Sequence, residues 1–139
     1  MLRFRQLLLA LNLIKYSEAC FTTTMATIDS IPLVDIDPSG RFKYVLIKAK
    51  SGSREKMFVR GFSWGSYHAD IYEDFESKHR GLDLECLGGG RIEHSPESKK
   101  ILVYGYSMGF GRADHSITVS LLKERYPSYS SITFSNEGY

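Results

Sequence analysis

The chain has 139 residues, which is enough for one compact domain with a hydrophobic core and too few for two ordinary domains. Its 18 basic and 16 acidic side chains give a net charge of +2, so no chain-wide positive field indicates a nucleic-acid-binding protein. The two cysteines, Cys20 and Cys86, are too few for a disulfide framework.

Residues 1–24 differ in composition from the rest of the chain. They contain basic side chains, an apolar run at 7–14 and no acidic residue before Glu18. That run is much shorter than the roughly 20 residues that cross a bilayer, so no membrane anchor is expected. A basic, acid-poor segment is typical of a targeting peptide, which makes a mitochondrial presequence one interpretation. In the other, 1–24 is a dispensable extension before Met25 and the protein is cytoplasmic.

We place the folded domain at residues 31–139, and its first predicted elements are strands. The turn signal at 38–40 precedes a segment at 42–49 that is rich in β-branched and aromatic residues, as a buried strand is. A polar connection at 51–56 leads to a second short strand at 57–62, so a hairpin is the simplest joint.

A helix is predicted next, over residues 63–79. Apolar side chains recur there at three- and four-residue steps, and acidic residues fill the opposite side. This spacing places His68 on the same helix side as Trp64 and Ile71, near the edge of the packed face.

The remaining elements alternate between strands and glycine-rich connections. Residues 82–86 predict a strand that ends at the triple glycine 88–90, where the backbone takes unusual angles or approaches another group closely. Two strands, at 91–94 and 101–106, flank a polar turn. After the glycine-rich loop 107–112, a helix capped by Asp114 runs to Arg125, and residues 131–135 form the last strand.

Two helices and six strands predict an α+β fold. We expect a single domain with a mixed six-stranded β-sheet flanked by two α-helices.

Loop 107–112 is the first candidate site, because glycines allow backbone N–H groups to converge on an anion at the start of a helix. The same pattern is also that of an ordinary turn, and it fits neither of the common nucleotide-binding motifs. Lys43, Arg60 and Arg91 lie on or beside predicted strands and could bind phosphate oxygens. Each of them alone is more typical of a solvated surface cation.

The four histidines are not spaced as a chelating pair, so neither a metal ion nor another cofactor is predicted. By spacing alone, His68 is more typical of a core histidine, but beside an anion its ordinary pKa of about 6.5 would let it transfer protons near neutral pH. We interpret His94 and His115 as structural and His79 as a surface residue. Cys86 is predicted to lie in the core.

Several motifs, in the same order along the chain, resemble the phosphohistidine phosphatases of the janus/ocnus family. The resemblance spans residues 31–139, and segments 88–94 and 109–115 are most similar to the janus branch. It implies the family's fold, a mixed six-stranded sheet with a helix on each side. The motifs are FKYV at 42–45, VRG at 59–61, YHADIY at 67–72, ECLGGGRI at 85–92, VYGYSM at 103–108 and GY at 138–139.

The resemblance implies a site as well as a fold. His68 corresponds to the family's proton-transfer residue, and phosphate would be held by main-chain groups and basic side chains. Gly109 stands where the mammalian pattern has alanine, but a glycine still offers its N–H group. The implied phosphate-binding residues are Lys43, Arg60, Tyr67, Ala69, Arg91, Ser107, Met108 and Gly109.

The implied activity is metal-independent hydrolysis of phosphohistidine in proteins, with His68 either as general base toward water or as a nucleophile that forms a phosphoenzyme. We expect a monomer whose partners are phosphohistidine-containing proteins, and neither nucleic acid nor membrane. The alternative is a non-enzymatic janus-type regulator that binds a phosphorylated partner, for example in sexual differentiation.

Overall fold

The computed structural model describes residues 28–139, so the features predicted for 1–24 lie outside the described residues. Residues 28–30 are helical, and residues 32–139 form a compact unit. The elements of this unit are β1 (Val34–Ile36), β2 (Gly40–Ser51), β3 (Arg54–Phe62), α1 (His68–Lys78), β4 (Asp83–Ser95), β5 (Lys100–Tyr104), α2 (His115–Arg125) and β6 (Ser131–Phe134).

The strands form one six-stranded sheet in the order β1-β3-β2-β4-β5-β6. The four inner strands are antiparallel to their inner neighbours, whereas β1 is parallel to β3 and β6 is parallel to β5. The predicted α+β class and mixed sheet are therefore confirmed.

The two helices α1 and α2 cover opposite faces of this sheet. Val59 of β3 belongs to the hydrophobic core that also contains Leu46 and Leu122 of α2. The preceding residue, Phe58, instead packs on Phe75 of α1, with 5.3 Å between ring centroids. Because consecutive strand residues point to opposite faces, α1 and α2 lie on different sides.

The predicted end of a strand at the triple glycine is wrong. Strand β4 continues through 88–90, where Gly90 pairs with Tyr44 and Gly89 pairs with Val45. A register shift just before these pairs marks a β-bulge, and Gly88 takes a φ of 135° there. Two predicted strands are thus one, and the sixth strand is β1, whose three residues were too few to recognise by pattern.

Helix α1 begins at His68, five residues later than predicted. The Tyr67 N–H donates to the Asp70 carboxylate at 2.9 Å, which fixes the first turn. Trp64 lies before the helix, exposed and stacked on Phe62, so the prediction that Trp64 and His68 share a helix side is wrong. The glycine and serine at 65–66 are poor helix formers, and they interrupt the apolar period.

The second helix agrees with its prediction. Asp114 is its N-cap and accepts a hydrogen bond from the Ser116 N–H at 3.0 Å. This cap fixes the point at which the loop before α2 ends.

Replacing Gly90 with alanine should destabilise the protein. The added Cβ would lie 2.7 Å from His115 Cε1 and 2.9 Å from Tyr44 Cε1, and would also clash with the Tyr104 carbonyl oxygen. We expect the free energy of unfolding to fall by about 1–3 kcal/mol, as for an overpacked core, in urea denaturation. The matched control is Gly109→Ala, whose Cβ would meet no atom within 4 Å. Equal stability of the two variants would contradict this account.

Candidate active site

A pocket of about 510 Å³ lies where the N-terminus of α1 faces the loop after β5. It contains all of the predicted site residues except Arg60 and Arg91, although they come from three separate parts of the chain. It also includes three residues that the sequence analysis did not assign to the site. The lining residues are Lys43, Ser66, Tyr67, His68, Ala69, Ser107, Met108, Gly109, Phe110 and Tyr139.

The triple glycine holds the parts of this pocket together. The Gly89 N–H donates to the Gly111 carbonyl and the Gly89 carbonyl accepts from the Ala113 N–H, each at 3.0 Å, so the loop is anchored to β4. A Cβ on Gly89 would lie 2.7 Å from the His68 ring. Only glycine lets the strand, the loop and His68 come this close together.

His68 is buried in the pocket wall, and its Nε2–H donates to the Gly90 carbonyl at 2.9 Å. Because a carbonyl oxygen can only accept, Nε2 carries the proton and Nδ1 of the neutral ring carries the lone pair. The histidine is thus fixed in the tautomer in which Nδ1 can act as a base.

The surroundings of His68 favour its neutral form. Burial lowers its pKa most, and the hydrogen bond to Gly90 partly opposes this effect. The positive charges of Lys43 and Arg91 lower the pKa further. At neutral pH the imidazole is therefore unprotonated at Nδ1 and can accept a proton.

The start of α1 supplies main-chain donors beside this histidine. The Tyr67 N–H is used by Asp70, and the Asp70 N–H donates to the Tyr67 carbonyl at 3.1 Å. Within residues 28–139, no hydrogen bond uses the N–H groups of His68 and Ala69. These groups are the positive end of the helix dipole and suit an anion.

Loop 107–111 offers a similar pair of donors. The N–H groups of Ser107 and Gly111 each donate to the other residue's carbonyl, at 3.0 and 2.9 Å, and the Phe110 N–H donates to Ser107 Oγ at 3.1 Å. The N–H groups of Met108 and Gly109 have no acceptor in the described part of the chain. The tight loop thus keeps two more donors beside the pocket.

Lys43 and Arg91 form the basic side of the site. They are directly paired across β2 and β4, so their side chains share one face of the sheet. Lys43 lines the pocket, whereas the Arg91 guanidinium lies 4.4 Å from the ring centroid of Tyr139, which lines it. In the sequence, only the match of segment 138–139 to the family pattern singled out Tyr139.

Arg60 is not part of this pocket. Its guanidinium donates to the carbonyls of Pro32 at 2.7 Å and Val59 at 2.8 Å, and it lies over the rings of Phe58 and Phe75. Burial lowers its pKa, and the charge of Asp35 opposes this shift. The structure therefore places Arg60 in a structural position next to α1 and does not bring it to the other predicted phosphate ligands.

Two other histidines have the structural positions that the sequence indicated. His115 is buried, donates from Nε2 to the Gly105 carbonyl at 2.8 Å and accepts from the Tyr44 hydroxyl at Nδ1, at 2.5 Å. His94 lies between the Asp37 carbonyl, at 2.9 Å, and the Tyr129 hydroxyl, at 2.6 Å.

His79 and Cys86 differ somewhat from their predictions. His79 is partly buried against Phe75, with 4.4 Å between ring centroids, and is not a free surface residue. Cys86 is only partly buried in β4, and burial raises the pKa of its thiol. A protonated thiol in this position is a poor nucleophile.

No group of three or more potential metal-binding side chains occurs among the described residues. No helix in that part of the chain is long and apolar enough to cross a bilayer.

The sequence model of the Janus/Ocnus family matches residues 28–130. The chain belongs to this family. The resemblance found in the motifs is thereby confirmed, and the matched region contains every residue of the pocket except Tyr139.

Proteins with similar sequences have two kinds of name. The chain is 51% identical over 123 residues to the 14 kDa phosphohistidine phosphatase of Sus scrofa, covering 82% of this chain and 97% of that protein. The phosphatase of the same name in Homo sapiens is 48% identical over 124 residues, which cover 83% of this chain and 98% of that protein. The sex-regulated protein janus-A of Drosophila melanogaster is 52% identical to this chain over 112 residues, which cover 78% of this chain and 82% of that protein.

Replacing Arg60 should affect stability and not anion binding. Arg60→Met keeps the long stem but removes the donors to the main-chain carbonyls, so the free energy of unfolding should fall by about 2–3 kcal/mol. The affinity for inorganic phosphate, measured by NMR titration, should stay within about twofold of wild type, because Arg60 does not line the pocket. Lys43→Met is the matched control, and it should weaken phosphate binding. Loss of phosphate affinity in Arg60→Met without loss of stability would show that Arg60 binds the anion.

The pKa of His68 should depend on the two basic neighbours. An NMR titration of the imidazole should give a pKa below the ordinary value of about 6.5 in the wild type. Lys43→Ala and Arg91→Ala should each raise it, because removing a nearby positive charge stabilises the imidazolium form. Arg41→Ala, which removes a largely exposed cation paired with Glu93, is the control. An unchanged pKa in both test variants would contradict the proposed electrostatics.

Proposed function

We propose that this protein hydrolyses phosphohistidine in protein substrates, without a metal ion and with His68 as general base. The observation that carries the proposal is a neutral His68, held in one tautomer by the Gly90 carbonyl, in a pocket that also contains Lys43 and main-chain N–H groups that bond to no other described residue. The names of the mammalian relatives support the choice of substrate.

The reaction can be written with the groups of the pocket. Water attacks phosphorus as Nδ1 of His68 takes its proton; a P–O bond forms and the P–N bond breaks. The protonated His68 returns that proton to the departing imidazole of the substrate. The N–H groups of Ala69, Met108 and Gly109, together with Lys43, stabilise the charge on the phosphoryl oxygens.

Direct attack by Nδ1 on phosphorus is the chemical alternative, and it would leave a phosphate on His68. Rapid quenching with a radiolabelled phosphohistidine protein separates the two mechanisms. A general base predicts no labelled enzyme, whereas a covalent mechanism predicts up to one label per chain that is lost in acid.

The kinetic variants should separate proton transfer from phosphate binding. His68→Ala should lower kcat by roughly 10² to 10⁴-fold and still bind phosphate. Arg91→Ala should mainly raise KM, because its charge acts on oxygens that are already negative in the ground state. Lys43→Ala should do the same less strongly. These values are measured by steady-state kinetics on a phosphohistidine peptide, with phosphate binding followed by NMR.

The matched control for His68 is His79→Ala, which removes a histidine just beyond the other end of α1 and should keep normal kinetics. Near-normal kcat in His68→Ala would eliminate His68 as the proton-transfer residue. The same assay after treatment with a chelator checks the metal-free mechanism, since recovery of lost activity by added zinc or magnesium would refute it.

A second candidate is a regulator that binds a phosphorylated partner without hydrolysing it. It is favoured by the janus-A relative, whose name describes a sex-regulated protein. The two functions differ in one measurement. Purified protein that releases inorganic phosphate over many turnovers is an enzyme, and protein that only binds phosphohistidine stoichiometrically is a regulator.

The proposed setting of this activity is a monomer in the cytoplasm, with mitochondria as the alternative through residues 1–24. A reporter fused to residues 1–24 tests the location, and sedimentation of the purified chain tests the monomer.

A further inference from the structure

Tyr139 both lines the pocket and contacts Arg91. Tyr139 lines the pocket with half of its surface exposed, whereas Arg91 does not line it. The guanidinium lies 4.4 Å from the centroid of the Tyr139 ring, and its Nη2 donates to the Tyr139 hydroxyl at 3.1 Å. Tyr106 packs edge-on against the same ring, with 5.0 Å between centroids.

The position of Arg91 is costly without these contacts. Its Nε is buried and finds no hydrogen-bond acceptor among the described residues. A buried donor without a partner opposes the conformation that contains it. The ring face and the hydroxyl of Tyr139 are the contacts that offset this cost and keep the guanidinium beside the pocket.

We propose that Tyr139 is a positioning residue, which holds the Arg91 guanidinium in the orientation that attracts a phosphate into the pocket. The ring face of Tyr139 provides most of the effect, and its hydroxyl fixes the rotation of the guanidinium. This role rests on the proposed function only for the identity of the substrate, because the anion-binding step can be measured by itself.

Inorganic phosphate is the probe, and its dissociation constant is measured from the NMR shifts of the Ser107, Met108 and Gly109 amides. Tyr139→Leu keeps an apolar side chain but loses the π-face, so the dissociation constant should rise about 3- to 10-fold. Tyr139→Phe keeps the ring and should show a smaller rise, of about twofold. Asn136→Ala, in the same terminal segment, is the control and should bind phosphate like the wild type.

A double-mutant cycle links the effect to Arg91. In an Arg91→Ala background, Tyr139→Leu should cause no further loss of phosphate affinity, because the group that it positions is gone. In the enzymatic assay, Tyr139→Leu should raise KM and leave kcat within about twofold of wild type.

Each other result overturns the proposal. If phosphate binds equally well to Tyr139→Leu and to wild type, Tyr139 has no effect on phosphate binding and does not position Arg91. If phosphate binds more tightly to Tyr139→Leu, Tyr139 blocks the site. Additive effects in the double mutant would show that Tyr139 acts independently of Arg91. If Tyr139→Leu does not fold, the Tyr139→Phe pair with and without Arg91→Ala decides the question in the same way. Absence of hydrolysis by the wild type, with these binding effects intact, would overturn the proposed function alone.

Discussion

The site depends on the close approach of three parts of the chain to the glycines of β4. Gly88 lies against Ala113 at the start of α2, Gly89 bonds the loop with both of its main-chain groups, and Gly90 accepts a hydrogen bond from His68. A Cβ at any of these positions would overlap its neighbours. The absence of side chains at the centre of the sheet therefore brings His68 and loop 107–111 together.

The buried polar groups on the α2 side support the same strand. His115 is fixed by the Gly105 carbonyl and the Tyr44 hydroxyl, and Thr118 donates to that hydroxyl at 3.2 Å. The rings of His115 and Tyr44 fill the space that a side chain on Gly90 would take. This satisfied network supports the backbone of β4 on one face, so that the Gly90 carbonyl can orient the His68 ring on the other.

Three cations on the neighbouring strands β3, β2 and β4 have different surroundings. Lys43 lines the pocket, and its positive charge lowers the pKa of His68. Arg91 instead lies against the ring of Tyr139, which lines the pocket. Arg60 is buried and donates to the main-chain carbonyls of Pro32, Leu33 and Val59, so it has little capacity left for a ligand. The charge of a side chain and its position on a strand do not by themselves distinguish these three cases, because they depend on which hydrogen-bond acceptors surround each cation.

The sequence by itself determined the fold class, the Asp114 cap of α2 and the approximate positions of most strands, because these follow from local pattern, and the resemblance to the family supplied the motifs that form the pocket. Asp114 and the loop at 107–112 are examples. The tertiary structure decided what depends on register between distant strands: that 88–90 lies inside β4, that Arg60 turns away from the pocket, and that Tyr139 covers Arg91. The three- and four-residue spacing around Trp64 also misplaced the start of α1. Periodicity reports which side chains share a face, but it cannot show which main-chain groups have already been satisfied.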